Sequence, residues 1–77
     1  MAETDIRRKT GLRIKELRDA TGLSQESFAW KIGMARSYFA EVETGARNVS
    51  LINLEKIAKG FGITLGEFFS SDVFSKH

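Results

Sequence analysis

The stretch from Gln25 to Glu43, QESFAWKIGMARSYFAEVE, restricts the fold of this chain more than any other. Phe28, Ala29 and Ile32 fall on one helical stripe, Gly33 interrupts it, and Phe39 and Val42 resume it at helical spacing. The pattern predicts a helix, a sharp turn and a second helix. Ala29 must be small because the second helix crosses there. Gly33 supplies a turn position where a positive φ costs little. With Phe39 and Val42 turned inward, Arg36, Ser37, Ala40 and Glu41 point outward. This is a helix-turn-helix layout, in which the second helix is offered to a DNA major groove.

The flanking segments are helical too. From about Thr4 to Ala20, after residues 1 to 3, which are expected to fray, Ile6, Thr10, Ile14, Leu17 and Ala20 recur at three- and four-residue steps. Gly22 fits a helix C-terminus, and Ser24 is placed to cap the next helix, about Gln25 to Ile32. A third helix is predicted from about Ala35 to Thr44, stopped by Gly45. Ser50 caps a fourth, about Leu51 to Phe61, with Leu51, Leu54, Ile57, Ala58 and Phe61 as its inner face. Thr64 and Glu67 have capping-box spacing, so a short fifth helix runs from Leu65 to about Ser70. The tail 71–77 carries Val73 and Phe74, too few apolar residues to fold alone. The expectation is a single all-α domain over residues 1–77, with the helix-turn-helix at about 25–44.

Composition narrows the function. A chain of 77 residues makes one domain. It buries only about 60% of its unfolded surface, so self-association is a natural source of stability. There is no cysteine, and the single histidine, His77, ends the chain. No disulfide, thiolate metal site or imidazole cluster is therefore available. A phosphate-binding glycine loop and a paired-carboxylate pocket are also missing. The expectation is no enzyme, no metal and no cofactor. No apolar run is long enough for a membrane span or a signal segment, which favours a cytoplasmic location. The net charge is only +2, but Arg7, Arg8, Lys9, Arg13, Lys15 and Arg18 crowd the first helix, and Arg36 and Arg47 flank the third. Charge gathered in this way suits a phosphate backbone, or simply forms a solvated face.

The stretch TGLSQESFAWKIGMARSYFAEVETGARNVSLINLEKIAKGFGITLGEFF, Thr21 to Phe69, resembles the phage-repressor-like (Cro/CI, or XRE) helix-turn-helix family. Within that family it is most similar to the controller regulators of restriction-modification systems. The features that carry the resemblance are SQxxxA, a glycine four residues on, the ExG ending, and SLxxLxKIAKxFGI. The resemblance implies a five-helix, lambda-repressor-like domain that binds double-stranded operator DNA as a homodimer on paired half-sites. It implies a transcription regulator, with RNA polymerase as a further candidate partner. Four departures stand out. Asn48-Val49-Ser50 lacks a common proline, and Phe39 replaces Ile or Val. Glu41 puts a carboxylate where a basic or amide residue is common. Trp30 stands where a charged residue is usual and reads as a packed or rim aromatic.

Site residues follow from the resemblance and from side-chain chemistry together. Arg36 can meet guanine O6 and N7 with both arms of its fork, and Ser37 is short enough for a base or the backbone. Tyr38 either reaches the sugar-phosphate backbone or a thymine methyl, or packs against the fourth helix. Glu41 either accepts from cytosine N4, disfavours wrong sequences, or pairs with a nearby cation. Ser24 and Gln25 open the second helix, where free N–H groups suit a phosphate. Arg47 and Asn48 lie in the loop where the family makes backbone contacts. The family pattern also pairs Arg18 with Glu43, pinning the third helix. Ile52, Ile63, Leu65, Phe68 and Phe69 are dimer-contact candidates, with the intramolecular core as the alternative for most of them. A competing function is an antitoxin-like module that holds a protein partner and binds DNA secondarily.

Overall fold

The computed structural model describes residues 5–75, and expectations that fall on residues 1–4 and 76–77 lie outside them. Six helices follow one another among the described residues: α1 Ile6–Thr21, α2 Gln25–Lys31, α3 Arg36–Thr44, α4 Leu51–Gly60, α5 Leu65–Phe69 and α6 Asp72–Ser75. Most starts are set by side-chain caps, which give the first-turn amides an acceptor. Asp5 takes the amide of Arg7, Ser24 that of Ser27, and Ser50 that of Asn53. Thr64 and Glu67 form the reciprocal capping box that starts α5.

The turn between α2 and α3 is built as its sequence requires. Gly33 has φ +69°, and the amide of Met34 donates to the carbonyl of Ala29 at 2.9 Å. The chain thus reverses over Ala29, which is 1% exposed. Behind the two helices, Phe28, Phe39, Phe68, Ile14, Ile57 and Val42 are wholly buried. Phe28 stacks on Phe61 at 4.2 Å and meets Phe39 at 5.3 Å between ring centroids. Each buried aromatic or aliphatic side chain contributes about 1.5–3 kcal/mol.

α1 crosses the C-terminal end of α3 at Gly11. A Cβ added there would run into the Glu43 carbonyl oxygen, so only glycine lets the two backbones come this close. α1 is also tied to α5. Arg13 donates through Nε to the Phe68 carbonyl at 2.7 Å and through Nη2 to that of Glu67 at 2.9 Å. Both carbonyls lie at the end of this short helix, where that of Glu67 also accepts the amide of the cap residue Ser70 at 3.2 Å.

Three details correct the sequence reading. Ile6 is 60% exposed and Leu51 77% exposed, although both were expected on inner faces. Each occupies the first position of its helix, ahead of the turn that reaches the core. Ala20 is exposed as well, at the far end of α1. The tail forms a sixth helical turn because Phe74 packs on Phe69 at 4.9 Å and Phe68 at 6.2 Å. Its helicity is borrowed from that aromatic cluster, which explains why it was not visible locally. No described helix is long and apolar enough to cross a membrane.

Candidate nucleic-acid interface

α3 presents two chemically different sides. Phe39 and Val42 are 0% and 1% exposed, while Arg36, Ser37 and Glu41 lie on the open side. Ala35, at the N-cap, provides no side-chain hydrogen bond. Among the described residues, Arg36 and Ser37 have no side-chain partner, so both are available to a ligand.

α3 is held in place by the carboxylate of Glu43, which is 7% exposed. Arg18 donates Nε to Glu43 Oε2 at 2.7 Å and Nη2 to Oε1 at 3.0 Å. Its remaining arm donates to the Leu23 carbonyl at 2.8 Å. The hydrogen bond to Glu43 pushes the Arg18 guanidinium further above its ordinary value. Gln25 Nε2 donates to Glu43 Oε1 at 2.6 Å. One acid thus binds the end of α1, the start of α2 and the end of α3 into a single unit. The side-chain donor expected of Gln25 toward a phosphate is therefore partly engaged inward. Ser24 is exposed and its hydroxyl is shared between the Ser27 amide and the Ser27 Oγ, both at 3.0 Å.

A second network runs from the loop to α4. Arg47 Nε donates to Glu41 Oε1 at 2.8 Å. Its guanidinium lies over the Tyr38 ring, 5.2 Å from the centroid. The Tyr38 hydroxyl accepts from Asn53 Nδ2 at 3.1 Å. Of the alternatives for Tyr38, the structure shows the half-buried ring against α4; for Glu41 it shows the pairing with a cation. Asn53 was not singled out in the sequence. Its only signal was a polar side chain inside an otherwise apolar run, three residues after the cap. Asn48 is exposed.

The basic cluster of α1 is less open than its sequence suggests. Arg7 pairs with Asp5, Arg13 with Glu16, Lys15 with Asp19 and Arg18 with Glu43. Arg8 and Lys15 flank a hollow between α1, Gln25 and Thr44. Trp30 is 86% exposed on the outer side of α2, which excludes the packed alternative of the two expected for it.

The dimer-contact candidates separate into groups. Ile63 and Leu65 are half-buried and line a shallow groove between α4 and α5, with Ala58 at its floor. Ile52 is 79% exposed at the start of α4, and Phe69 is 41% exposed beside Phe74. Phe68 is wholly buried within the monomer, packed edge-on against Phe69, and has no surface to offer a partner. Among the described residues no cluster of potential metal ligands exists.

Comparison with known proteins places this arrangement. A helix-turn-helix family model matches residues 14–68. The control protein C.MunI of a Mycoplasma species is 55% identical over 67 residues, which cover 86% of this chain and 90% of that protein. The restriction-modification controller protein C.AhdI from Aeromonas hydrophila superposes with a TM-score of 0.79 at 48% identity, covering 83% of this chain and 97% of that one. The controller protein C.Esp1396I, solved as a tetramer in complex with its natural 35 base-pair operator, superposes with a TM-score of 0.86 at 30% identity, covering 96% of this chain and all of that one. The glycine turn, the Glu43-centred clamp and these similarities agree: the chain belongs to the Cro/CI-type helix-turn-helix family and groups with its restriction-modification controller proteins.

Proposed function

We propose that this protein is a sequence-specific, DNA-binding transcription regulator of the cytoplasm, acting as a homodimer on paired operator half-sites and controlling a restriction-modification operon. The observation that carries the reading is the open side of α3, where Arg36 and Ser37 stand exposed and unpartnered above buried Phe39 and Val42. In a major groove, Arg36 takes guanine O6 and N7, and Ser37 takes an adjacent base or phosphate. Arg47 and Asn48 in the following loop, with Ser24 and Gln25 at the start of α2, hold the flanking phosphates. The described chain measures 35 × 23 × 23 Å, so two copies side by side can set their α3 helices about one turn (~34 Å) apart.

Selection of bound duplexes from a random pool tests this reading. The expected product is a two-fold symmetric sequence with half-sites about one turn apart, and binding to it weakens steeply with salt because phosphate contacts release counterions. An unchanged affinity between low and high salt, or a pool that never converges, would contradict it.

A further inference from the structure

Glu41 is an anomaly on the side of α3 assigned to DNA: a carboxylate facing a polyanion. The geometry around it points away from base reading. Its oxygen Oε1 takes Arg47 through Nε, at 2.8 Å. Neither terminal nitrogen of Arg47 donates to any described residue. A guanidinium has two bidentate edges: the one through Nε, which a carboxylate takes on Arg18, and the one formed by the two terminal nitrogens, which offers a phosphate two parallel N–H bonds. Here that edge is not closed off. The plane of the guanidinium is set from its other side by the Tyr38 ring, 5.2 Å away, and that ring is itself fixed through its hydroxyl by Asn53 of α4. Two rigid helices therefore determine where a loop arginine points.

We propose that Glu41 is a positioning residue for Arg47: by holding Nε it orients the guanidinium so that its terminal nitrogens face a backbone phosphate, and it acts on duplex binding through Arg47 without touching a base. The inference rests on the reading of α3 as the helix that enters the groove. The side chains of the pair are 51% and 48% exposed, so its influence is modest. A loop arginine without this support samples many rotamers, and ordering it on DNA costs affinity.

The test compares Glu41→Gln with Glu41→Ala on the duplex recovered by selection with the wild-type protein. Both variants lose the same charge, so the change in field toward DNA cancels between them. Only the glutamine keeps an acceptor for Nε. The expected result is about two- to fivefold tighter binding by Glu41→Gln than by Glu41→Ala, a difference that vanishes when both also carry Arg47→Gln. Equal affinities with Arg47 present would overturn the proposal and leave charge as the only effect of Glu41. A difference that persists with Arg47→Gln, together with an altered base preference of Glu41→Ala, would overturn it in favour of direct base reading. If the wild-type protein selects no sequence, the reading of α3 falls first and this inference with it. Circular dichroism of each variant ensures that folded proteins are compared.

Discussion

Substituting Glu43 by alanine should unfold this protein more readily than any comparable change on the open side of α3. The carboxylate is almost completely buried and accepts three hydrogen bonds, two from Arg18 and one from Gln25. Removing it strands the Arg18 guanidinium, only 12% exposed, with Nε and Nη2 unsatisfied. Breaking one partner of such a pair costs about 3–5 kcal/mol. Small domains are stable by only about 5–15 kcal/mol, so this is a large share. At about 4–8 °C per kcal/mol, even the lower figure of ~3 kcal/mol lowers the melting temperature by roughly 12–24 °C. Thermal unfolding followed by circular dichroism measures this directly. The double variant Arg18→Met with Glu43→Leu, which leaves no stranded charge, should recover much of the loss. Operator binding by Glu43→Ala should fall in step with the folded fraction. A melting temperature within a few degrees of wild type, with binding lost, would refute the reasoning and make Glu43 a DNA contact instead of a structural clamp.

Three further outcomes are expected. Gly11→Ala should lower the melting temperature, because the overlap with the Glu43 carbonyl costs about 1–3 kcal/mol against a helix-propensity gain of about 1. Gly66→Ala, whose Cβ meets only Thr64 Oγ1 at 3.7 Å, should not, and a Gly11→Ala protein as stable as wild type would count against the crossing. The side-chain hydrogen bond from Arg7 holds the Asp5 carboxyl below the usual carboxylate range. Its capping contribution is therefore present above the ordinary carboxylate pKa and is lost as pH falls through the lowered value. An NMR titration should place the Asp5 midpoint low and move it up in Arg7→Ala; an unmoved midpoint would show that Arg7 is not the cause. Ile52→Asp, at a side chain 79% exposed in the monomer, should reduce the dimer seen by sedimentation while leaving the monomer folded. A dimer of unchanged strength would remove Ile52 from the interface.

The residues that specify backbone geometry were the most legible in the sequence. Gly33, Ser24, Ser50 and the Thr64–Glu67 pair act within three or four residues of themselves, so the turn and the helix starts could be read locally. The inward side of α3 was equally plain, because Phe39 and Val42 leave only one way for the helix to lie. What could not be read depends on distant partners. Gly11 looked like an ordinary weak point in α1, and its crossing with α3 exists only in three dimensions. Arg13 looked like one more member of a basic cluster, although it supplies donors to the end of α5, 54 and 55 residues away. The cluster itself reads as a phosphate-seeking patch by composition, yet much of it is matched by acids: Glu16 and Asp19 on the same helix, Asp5 at its cap and Glu43 on α3. Phe68 shows the same limit from the other side. Helical spacing groups it with Leu65 and Phe69, but the tail and α1 close over it.

The assignment of Arg36 to a base admits the most direct check. Selection from a random duplex pool with Arg36→Ala, set beside the wild-type selection, isolates what that one guanidinium reads. The expected result is a preference erased at one guanine in each half-site, with the other positions kept and an affinity loss of about 1–3 kcal/mol on the wild-type sequence. The same sequence recovered with the same affinity would contradict the account, because α3 would then lie in the groove, if at all, by some other side.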